Sequence, residues 1–170
     1  MSVATVTGTG DAFELVGVHR STFRNIQAAG VGRYMFFLRG SLINLFDSIR
    51  ASTNLPVISS ETLGFAAMFR LENATIGGAD TYSNANTFIA NIAEGGDYGW
   101  DGRNDQGAQG SQTIIGGAAE GMLAYAMYFE RADGLYVYGL YSEAGNSSIR
   151  LSQVTNSVIQ VVRATGLILE

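Results

Sequence analysis

The sequence predicts an all-β protein, an antiparallel β-sandwich of the jelly-roll type that forms a single domain over residues 1–170. Three observations support this prediction. Apolar side chains alternate with small or polar ones over residues 63–72, as on a strand with one buried face. Two further alternating segments flank a turn at 132–134. Turn-forming residues recur at short intervals along the rest of the chain.

The remaining apolar segments are short and extend the pattern to about eight strands. Further strands are expected at 13–19, 33–38, 87–93, 148–154 and 157–163. No repeat at a fixed period and no linker divides the chain. The pattern is therefore typical of one β-domain.

One short helix is expected at 41–51. Its apolar residues follow helical spacing, at Leu42, Leu45, Phe46 and Ile49. Ser41 is placed to cap the first turn, and a proline follows beyond the last one. These signals predict an amphipathic helix inside the β-domain.

A β-hairpin is expected from 122–131 and 135–142, which are joined by Ala132, Asp133 and Gly134. Asp-Gly favours a tight turn because both residues adopt positive φ at low cost. The two segments are rich in tyrosine, and such rings are typical of cross-strand packing in a sheet. The hairpin is the strongest reason for predicting antiparallel strands.

The composition excludes several kinds of chemistry. Cysteine and lysine are absent, all ten basic residues are arginine, and His19 is the sole histidine. A thiolate nucleophile, a Schiff-base lysine and a two-histidine metal site within one chain are therefore excluded. We expect a protein that is not an enzyme and has no cofactor.

Charge and hydropathy limit the expected partners. The net charge of −5 argues against a nucleic-acid partner, which would favour a clustered basic face. The longest apolar runs are far shorter than the roughly 20 residues that span a bilayer. Neither nucleic acid nor a membrane span is expected.

A glycine-rich segment at 94–112 is expected to be a long loop, and such loops are commonly functional. It carries Tyr98, Trp100 and Arg103, which are predicted contact residues for a protein or a sugar because exposed aromatic rings mark contact sites. The alternative for Trp100 is that its ring packs down over the edge of the sandwich. The weaker alternative is a calcium site. Its oxygen ligands would be Asp101, Asn104 and Asp105, whose spacing does not match the EF-hand pattern.

The chain ends in an apolar segment at 166–170 that contains Leu167, Ile168 and Leu169. An apolar terminus is expected either to dock on its own core or to bury itself against a neighbour. These three residues are therefore predicted interface residues.

In general composition the chain resembles the β-sandwich accessory proteins of bacteriophage virions, such as capsid decoration, cement and head-fibre proteins. The segment 30–38 also resembles one strand of the trimeric jelly rolls of the tumour necrosis factor type. The resemblance implies a structural subunit on the surface of a virion or extracellular particle. It also implies self-association, with a trimer as one form, within a larger protein assembly. The alternative function is a carbohydrate-binding module that uses the segment 94–112.

Overall fold

The structure, a computed structural model, describes residues 10–29, 33–52, 67–103, 110–145 and 148–170. These residues form successive coils. The first coil contains β1 (Phe13–Val16), β2 (Thr22–Arg24) and β3 (Gln27–Ala29), and the second contains β4 (Tyr34–Arg39), β5 (Leu45–Asp47) and β6 (Arg50–Ser52). The third contains β7 (Ala67–Glu72), β8 (Ala74–Ile76), β9 (Ala79–Thr81), β10 (Asn86–Ile89) and β11 (Ile92–Glu94).

The later coils follow the same plan. The fourth contains β12 (Tyr98–Gly102), β13 (Gln112–Ile115) and β14 (Ala118–Met122), and the fifth contains β15 (Tyr125–Glu130) and β16 (Leu135–Gly145). The sixth contains β17 (Ser148–Ser152) and β18 (Val158–Arg163), and β19 (Leu167–Leu169) begins another coil.

Each strand pairs in parallel with its equivalent in the next coil. The first sheet has the order β1-β4-β7-β12-β15-β17-β19. The second row, β2-β5-β10-β13-β16, and the third, β3-β6-β11-β14-β16, are joined through the long strand β16, which also pairs with β18. The described exception is the antiparallel hairpin β8–β9, inserted in the third coil. The sheets curl around a shared core, so the chain forms a parallel β-helix.

The predicted antiparallel sandwich is wrong, although the described residues are all-β as expected. Strands that follow one another along the chain lie in different sheets. The predicted hairpin shows this most clearly, because β15 pairs with β12 and β17 whereas β16 pairs with β13, β14 and β18. Alternation of side chains has the same period in parallel and antiparallel strands. The pattern therefore identified strands without identifying their partners.

Two smaller predictions also fail. Residues 41–51 hold β5 and the start of β6, and no helix. The apolar spacing in this segment arises because the chain turns a corner at Ser48, which has a φ of 56°, so residues on both sides point into the core. The predicted loop at 94–112 contains β12, and its residues 104–109 lie outside the described part of the chain.

Backbone corners with positive φ separate the strands of a coil. The corner between the second and third rows uses Asn25, Ser48 and Ala90 in the first three coils and the pair Gly116 and Gly117 in the fourth. The corners stack on one another, because the amide of each corner residue donates to a carbonyl of the next coil along the chain. Ser48 N donates to Ile89 O at 3.0 Å, and Ala90 N donates to Ile115 O at 2.9 Å. Positive φ strains residues other than glycine, and the inter-coil hydrogen bonds offset this strain.

Stacked aromatic rings fill the N-terminal half of the core. One row contains Phe13, Phe36, Phe69 and Trp100, and its successive ring centres are 4.7, 5.6 and 6.0 Å apart. A second row contains Phe23, Phe46 and Phe88, at 5.0 and 5.2 Å. The rows meet edge to face, with Phe46 5.2 Å from Phe69. Such pairs stabilise by about 0.5–1.5 kcal/mol each beyond the area they bury.

Buried asparagines satisfy the backbone at the corner between the first and second rows. Asn44 Oδ1 accepts from the amide of Ser21 at 3.0 Å, and Asn86 Oδ1 accepts from the amide of Asn44 at 3.1 Å. Asn86 Nδ2 donates to the carbonyl of Ser41 at 2.9 Å. Both asparagines are almost fully buried, and these bonds remove the cost of leaving polar groups without partners.

Replacing Phe46 by alanine removes a ring at the centre of both rows. We expect Phe46→Ala to lower the free energy of unfolding by about 4 kcal/mol, because a fully buried ring leaves a cavity. Urea denaturation measures this change. The control, Tyr138→Ala, removes a ring that is 47% exposed and is expected to cost less than about 1 kcal/mol. Equal losses in the two variants would contradict the stacked core.

Candidate functional site

Tyrosine and arginine side chains form a half-buried strip on the outer face of the first sheet. We call Tyr98, Arg103, Tyr125, Tyr128 and Arg150 the tyrosine–arginine strip. Tyr98 lies on β12 and Arg103 follows its last residue. Tyr125 and Tyr128 lie on β15, and Arg150 lies on β17. Because the strands are in parallel register, Tyr98 lies beside Tyr125, and Tyr128 lies beside Arg150.

The arginines of the strip lie over its rings. The guanidinium carbon of Arg103 is 4.3 Å from the ring centre of Tyr98, and that of Arg150 is 4.9 Å from the ring centre of Tyr128. Arg150 Nη1 also donates to the Tyr125 hydroxyl at 3.2 Å. Burial raises the pKa of Tyr98 and of Tyr128, while the guanidinium groups act in the opposite direction. The rings therefore remain neutral at neutral pH, and their faces are occupied by cation–π contacts.

Asp101 lies beneath the strip with its side chain only 2% exposed. Its carboxylate accepts from Arg103 Nε at 2.8 Å and Nη2 at 2.6 Å, and it pairs with Arg70 Nη1 at 2.7 Å. The carboxylate of Asp101, which was a predicted calcium ligand, is thus bound by two guanidinium groups. The other candidates, Asn104 and Asp105, lie outside the described residues. Within the described ranges no group of three His, Cys, Asp or Glu side chains is placed to hold a metal ion.

Removing the charge of Asp101 tests this ion pair. We expect Asp101→Asn to lower the free energy of unfolding by about 2 kcal/mol, because Arg70 and Arg103 both lose their contact with a buried charge. Arg70 keeps its second ion pair, with Glu72 at 2.8 Å. The control, Asp47→Asn, breaks an exposed pair with Arg24 and is expected to cost less than about 1 kcal/mol. Chemical denaturation at neutral pH compares the two. If Asp101→Asn were as stable as the control, the pair would have no structural role.

A second carboxylate, that of Asp97, belongs to the residue immediately before Tyr98 and β12. Burial raises the pKa of this carboxyl above its ordinary value of 3.8, and Arg103 opposes the shift. The folded state therefore binds the proton more tightly than the unfolded chain. This contribution to stability is present below pH 3.8 and is lost as the pH rises through the raised value.

The Asp97→Asn variant does not lose stability in this way, because the side-chain amide does not ionise. We expect the variant to gain stability relative to the wild type as the pH rises from 3.8 through the raised pKa of Asp97, because the buried charge no longer forms. Thermal unfolding over this pH range measures the difference. Asp80→Asn, which removes an exposed carboxylate, serves as the control. A difference between Asp97→Asn and wild type that does not vary with pH would contradict the assignment.

Trp100 lies in the core and is fully buried, contrary to the expectation of an exposed ring. It stacks on Phe69, with ring centres 6.0 Å apart, and its Nε1 has no hydrogen-bond partner. The preceding Gly99 leaves no room for a side chain, since an added Cβ would come within 2.6 Å of the Ala126 carbonyl oxygen. Trp100 lies beside Phe69 and Met127 in the strand register, and both of these residues are fully buried, so Trp100 belongs to the core face of β12.

The other predicted contact residues lie at the end of the β-helix. We call residues 158–169 the C-terminal coil. This segment holds β18, the last strand of the sixth coil, and β19, the strand that begins the next one. Among the described strands, β18 pairs only with β16, and β19 only with β17. Large apolar side chains are exposed here, namely Val158 (55%), Val162 (72%), Leu167 (54%), Ile168 (38%) and Leu169 (68%).

A groove of about 420 Å³ opens at this end of the core. Its apolar lining comes from Leu151, Val154, Ile159, Leu167 and Leu169. Leu167 and Leu169 continue the inward rows of Ile149 and Leu151, so they point toward the core axis and are nevertheless exposed. The groove is thus the open cross-section of the core.

The structure brings the predicted residues together in two places. Tyr98 and Arg103 share the outer face of the first sheet, whereas residues 167–169 lie on the C-terminal coil. Sequence reasoning missed the contributions of Arg70, Arg150 and Val162. No signal in the sequence gives their register, since equivalent corner residues lie 23 residues apart at Ser21 and Asn44 but 42 apart at Asn44 and Asn86.

No family model matches the chain, and neither a curated protein nor a solved structure is significantly similar to it. No helix in the part of the chain that the structure describes is long and apolar enough to cross a membrane. The fold and the site define the class of this protein. It is a parallel β-helix with a charged, aromatic outer face on its first sheet and with exposed apolar side chains on its C-terminal coil.

Proposed function

We propose that this protein is a structural subunit of a larger protein assembly and that it joins the assembly through its C-terminal coil. The observation that carries the proposal is the exposure of inward-pointing leucines at this end of the core. Leu167 and Leu169 are 54% and 68% exposed, although their equivalents in the preceding coil, Ile149 and Leu151, are buried.

Apolar side chains in contact with water are unfavourable, because burying apolar surface stabilises a protein by roughly 25 cal/mol per Å². The C-terminal coil exposes such side chains on both β18 and β19. Burial of this surface against a partner would remove that cost.

The exposed apolar residues are concentrated here. Of the twelve large apolar side chains that are exposed among the described residues, five lie on the C-terminal coil. Three others, Ile115, Tyr136 and Tyr138, are on the outer face of the second row. An apolar patch at one end of a rigid molecule is typical of a protein–protein contact site.

A virion accessory subunit is the particular role that we propose within this class. Its support is the compositional resemblance to capsid decoration, cement and head-fibre proteins. The proposal includes no catalytic step. The sole histidine, His19, is exposed and lies in an isolated bridge with Leu42.

Carbohydrate binding is the second candidate function. Trp100, one of the residues predicted to contact a sugar, is buried, so a sugar bound through the segment 94–112 would have to contact the tyrosine–arginine strip instead. The strip offers three tyrosine rings on a rigid sheet, which favours ring stacking. Arg103 and Arg150 already lie over these rings, so a sugar would have to displace them. This candidate therefore ranks below assembly.

A charge on the C-terminal coil tests the proposed function. We expect the wild-type chain to form a complex larger than its 18.1 kDa monomer, and Val162→Glu to weaken that complex at least tenfold, because a carboxylate would be buried in an apolar contact. Size-exclusion chromatography with light scattering over a dilution series measures the mass.

The matched control is Val16→Glu, a half-exposed valine on β1 at the other end of the β-helix. It introduces the same charge and is expected to leave the complex intact. A wild-type chain that stays monomeric and joins no protein complex would refute the proposed function.

A further inference from the structure

We propose that the outer face of the second row binds a neutral polysaccharide through two exposed tyrosine rings. We call Thr113, Ile115, Tyr136 and Tyr138, which lie on β13 and β16, the tyrosine platform. It is separate from the tyrosine–arginine strip, which lies on the first sheet. Such binding goes beyond the proposed assembly function and is independent of it, because the platform contains no residue of the C-terminal coil.

The rings of the platform are exposed on interior strands of the β-helix. Tyr136 is 42% exposed and Tyr138 is 47% exposed. Both lie on β16, which pairs with β13 on one side and with β18 on the other. β13 in turn pairs with β10 and β16. Because outward side chains stand perpendicular to the sheet, a further coil stacked on either end would leave these rings uncovered.

Strand register places the two rings side by side. Tyr136 and Tyr138 flank Val137, which is fully buried, so both tyrosines point outward. Their Cα atoms are about 6.6 Å apart along the strand, and the neighbouring strand is about 4.8 Å away. Thr113 lies beside Tyr136, and Ile115 lies beside Tyr138. The platform thus combines two rings with a hydroxyl group and an aliphatic side chain.

The rings of the platform lack the contacts that cover the rings of the tyrosine–arginine strip. In the strip, the guanidinium carbon of Arg103 is 4.3 Å from the ring centre of Tyr98, and that of Arg150 is 4.9 Å from the ring centre of Tyr128. Within the described ranges, neither platform ring lies against a guanidinium group or another ring, and neither platform tyrosine hydroxyl has a hydrogen-bond partner. A sugar would therefore stack on these rings without displacing a side chain.

The charge pattern favours a neutral ligand. From the third coil to the sixth, the outward positions of the second row are uncharged, namely Thr87, Ile89, Thr113, Ile115, Tyr136, Tyr138, Val158 and Gln160. In the same coils, the first sheet carries paired arginines and carboxylates on its outer face, and the third row carries Glu94, Glu120 and Glu143 in register. An acidic polysaccharide would find no cation among these outward positions, whereas a neutral one buries no charge there.

The size of the platform favours a sugar over a protein. An aromatic side chain buries about 150–250 Å², so the exposed parts of Tyr136, Tyr138 and Ile115 amount to roughly 250 Å². A stable protein contact buries about 800 Å² on each partner. A short run of pyranose rings fits the smaller area, because each ring can place its apolar C–H face on a tyrosine. The sugar hydroxyls then reach the Thr113 and tyrosine hydroxyls or water.

Removal of the tyrosine rings tests the inference on an array that carries neutral glucans, mannans, galactans and xylans together with acidic polygalacturonate. We expect the wild-type chain to bind a neutral glycan. Tyr136→Ala and Tyr138→Ala are each expected to weaken this binding about fivefold, the effect of losing one aromatic contact. Titration with the glycan that binds best measures the change in Kd.

Two control variants make the result specific. Tyr138→Phe keeps the ring and is expected to lose less affinity than Tyr138→Ala. Tyr82→Ala removes a tyrosine that is 48% exposed and lies outside the platform, and it is expected to bind like the wild type. Equal losses in Tyr82→Ala and Tyr138→Ala would overturn the inference, as would binding to polygalacturonate alone or to no glycan on the array.

Light scattering separates this inference from the assembly function. The two platform alanine variants are expected to keep the mass of the wild-type complex, and Val162→Glu is expected to keep glycan binding. A loss of mass in Tyr136→Ala without glycan binding by the wild type would show that the platform is a protein contact and would overturn the inference. Glycan binding by a chain that forms no complex would support it and refute the assembly function.

Discussion

The structure depends on hydrogen bonding between successive coils in parallel register. Each strand donates to and accepts from its equivalent in the next coil, so residues at the same place in each coil must stack on one another. This constraint explains the aromatic rows of the core, in which Phe36 lies on Phe69 and Phe46 lies on Phe88. It also explains the buried asparagines. Asn44 and Asn86 occupy the same corner of consecutive coils, and Asn86 Oδ1 accepts from both the backbone amide and the side-chain amide of Asn44.

The same constraint leaves an unmet requirement at the C-terminal coil. An interior coil has a neighbour on both sides, whereas among the described strands β18 and β19 each pair on one side. Burial of a core position therefore depends on the next coil as much as on the residue itself. Leu151 is 4% exposed because Leu169 covers it, and Leu169 is 68% exposed because no described strand covers it in turn. The proposed contact supplies that missing neighbour from a second molecule.

The outer face of the first sheet is organised differently. Charged side chains there are neutralised within the face, with Asp101 held between Arg70 and Arg103. Arginine is well suited to this arrangement because one guanidinium group bonds a carboxylate through its edge and contacts a ring through its face. Arg103 does both, against Asp101 and Tyr98. Such a face is rigid and largely self-satisfied, which is consistent with a structural role.

The spacing of the coils explains why no repeat was visible in the sequence. Ser21 and Asn44 are 23 residues apart, but Asn44 and Asn86 are 42 apart. The inserted residues include the hairpin β8–β9. Positive φ at the corners also falls on Arg20, Ile43 and Ala90, residue types that do not predict a turn. The repeat is therefore carried by backbone geometry more than by residue identity.

The sequence by itself determined that the described chain is built from strands, that cysteine and lysine chemistry is excluded, and that residues 167–169 form an apolar end. Alternation of side chains specifies these strands because it depends only on the local period of two. Tertiary structure decided which strands pair, that Trp100 is buried, and that Asp101 is shared by two arginines. Those features arise from contacts between coils far apart in sequence, and the local pattern holds no information about them.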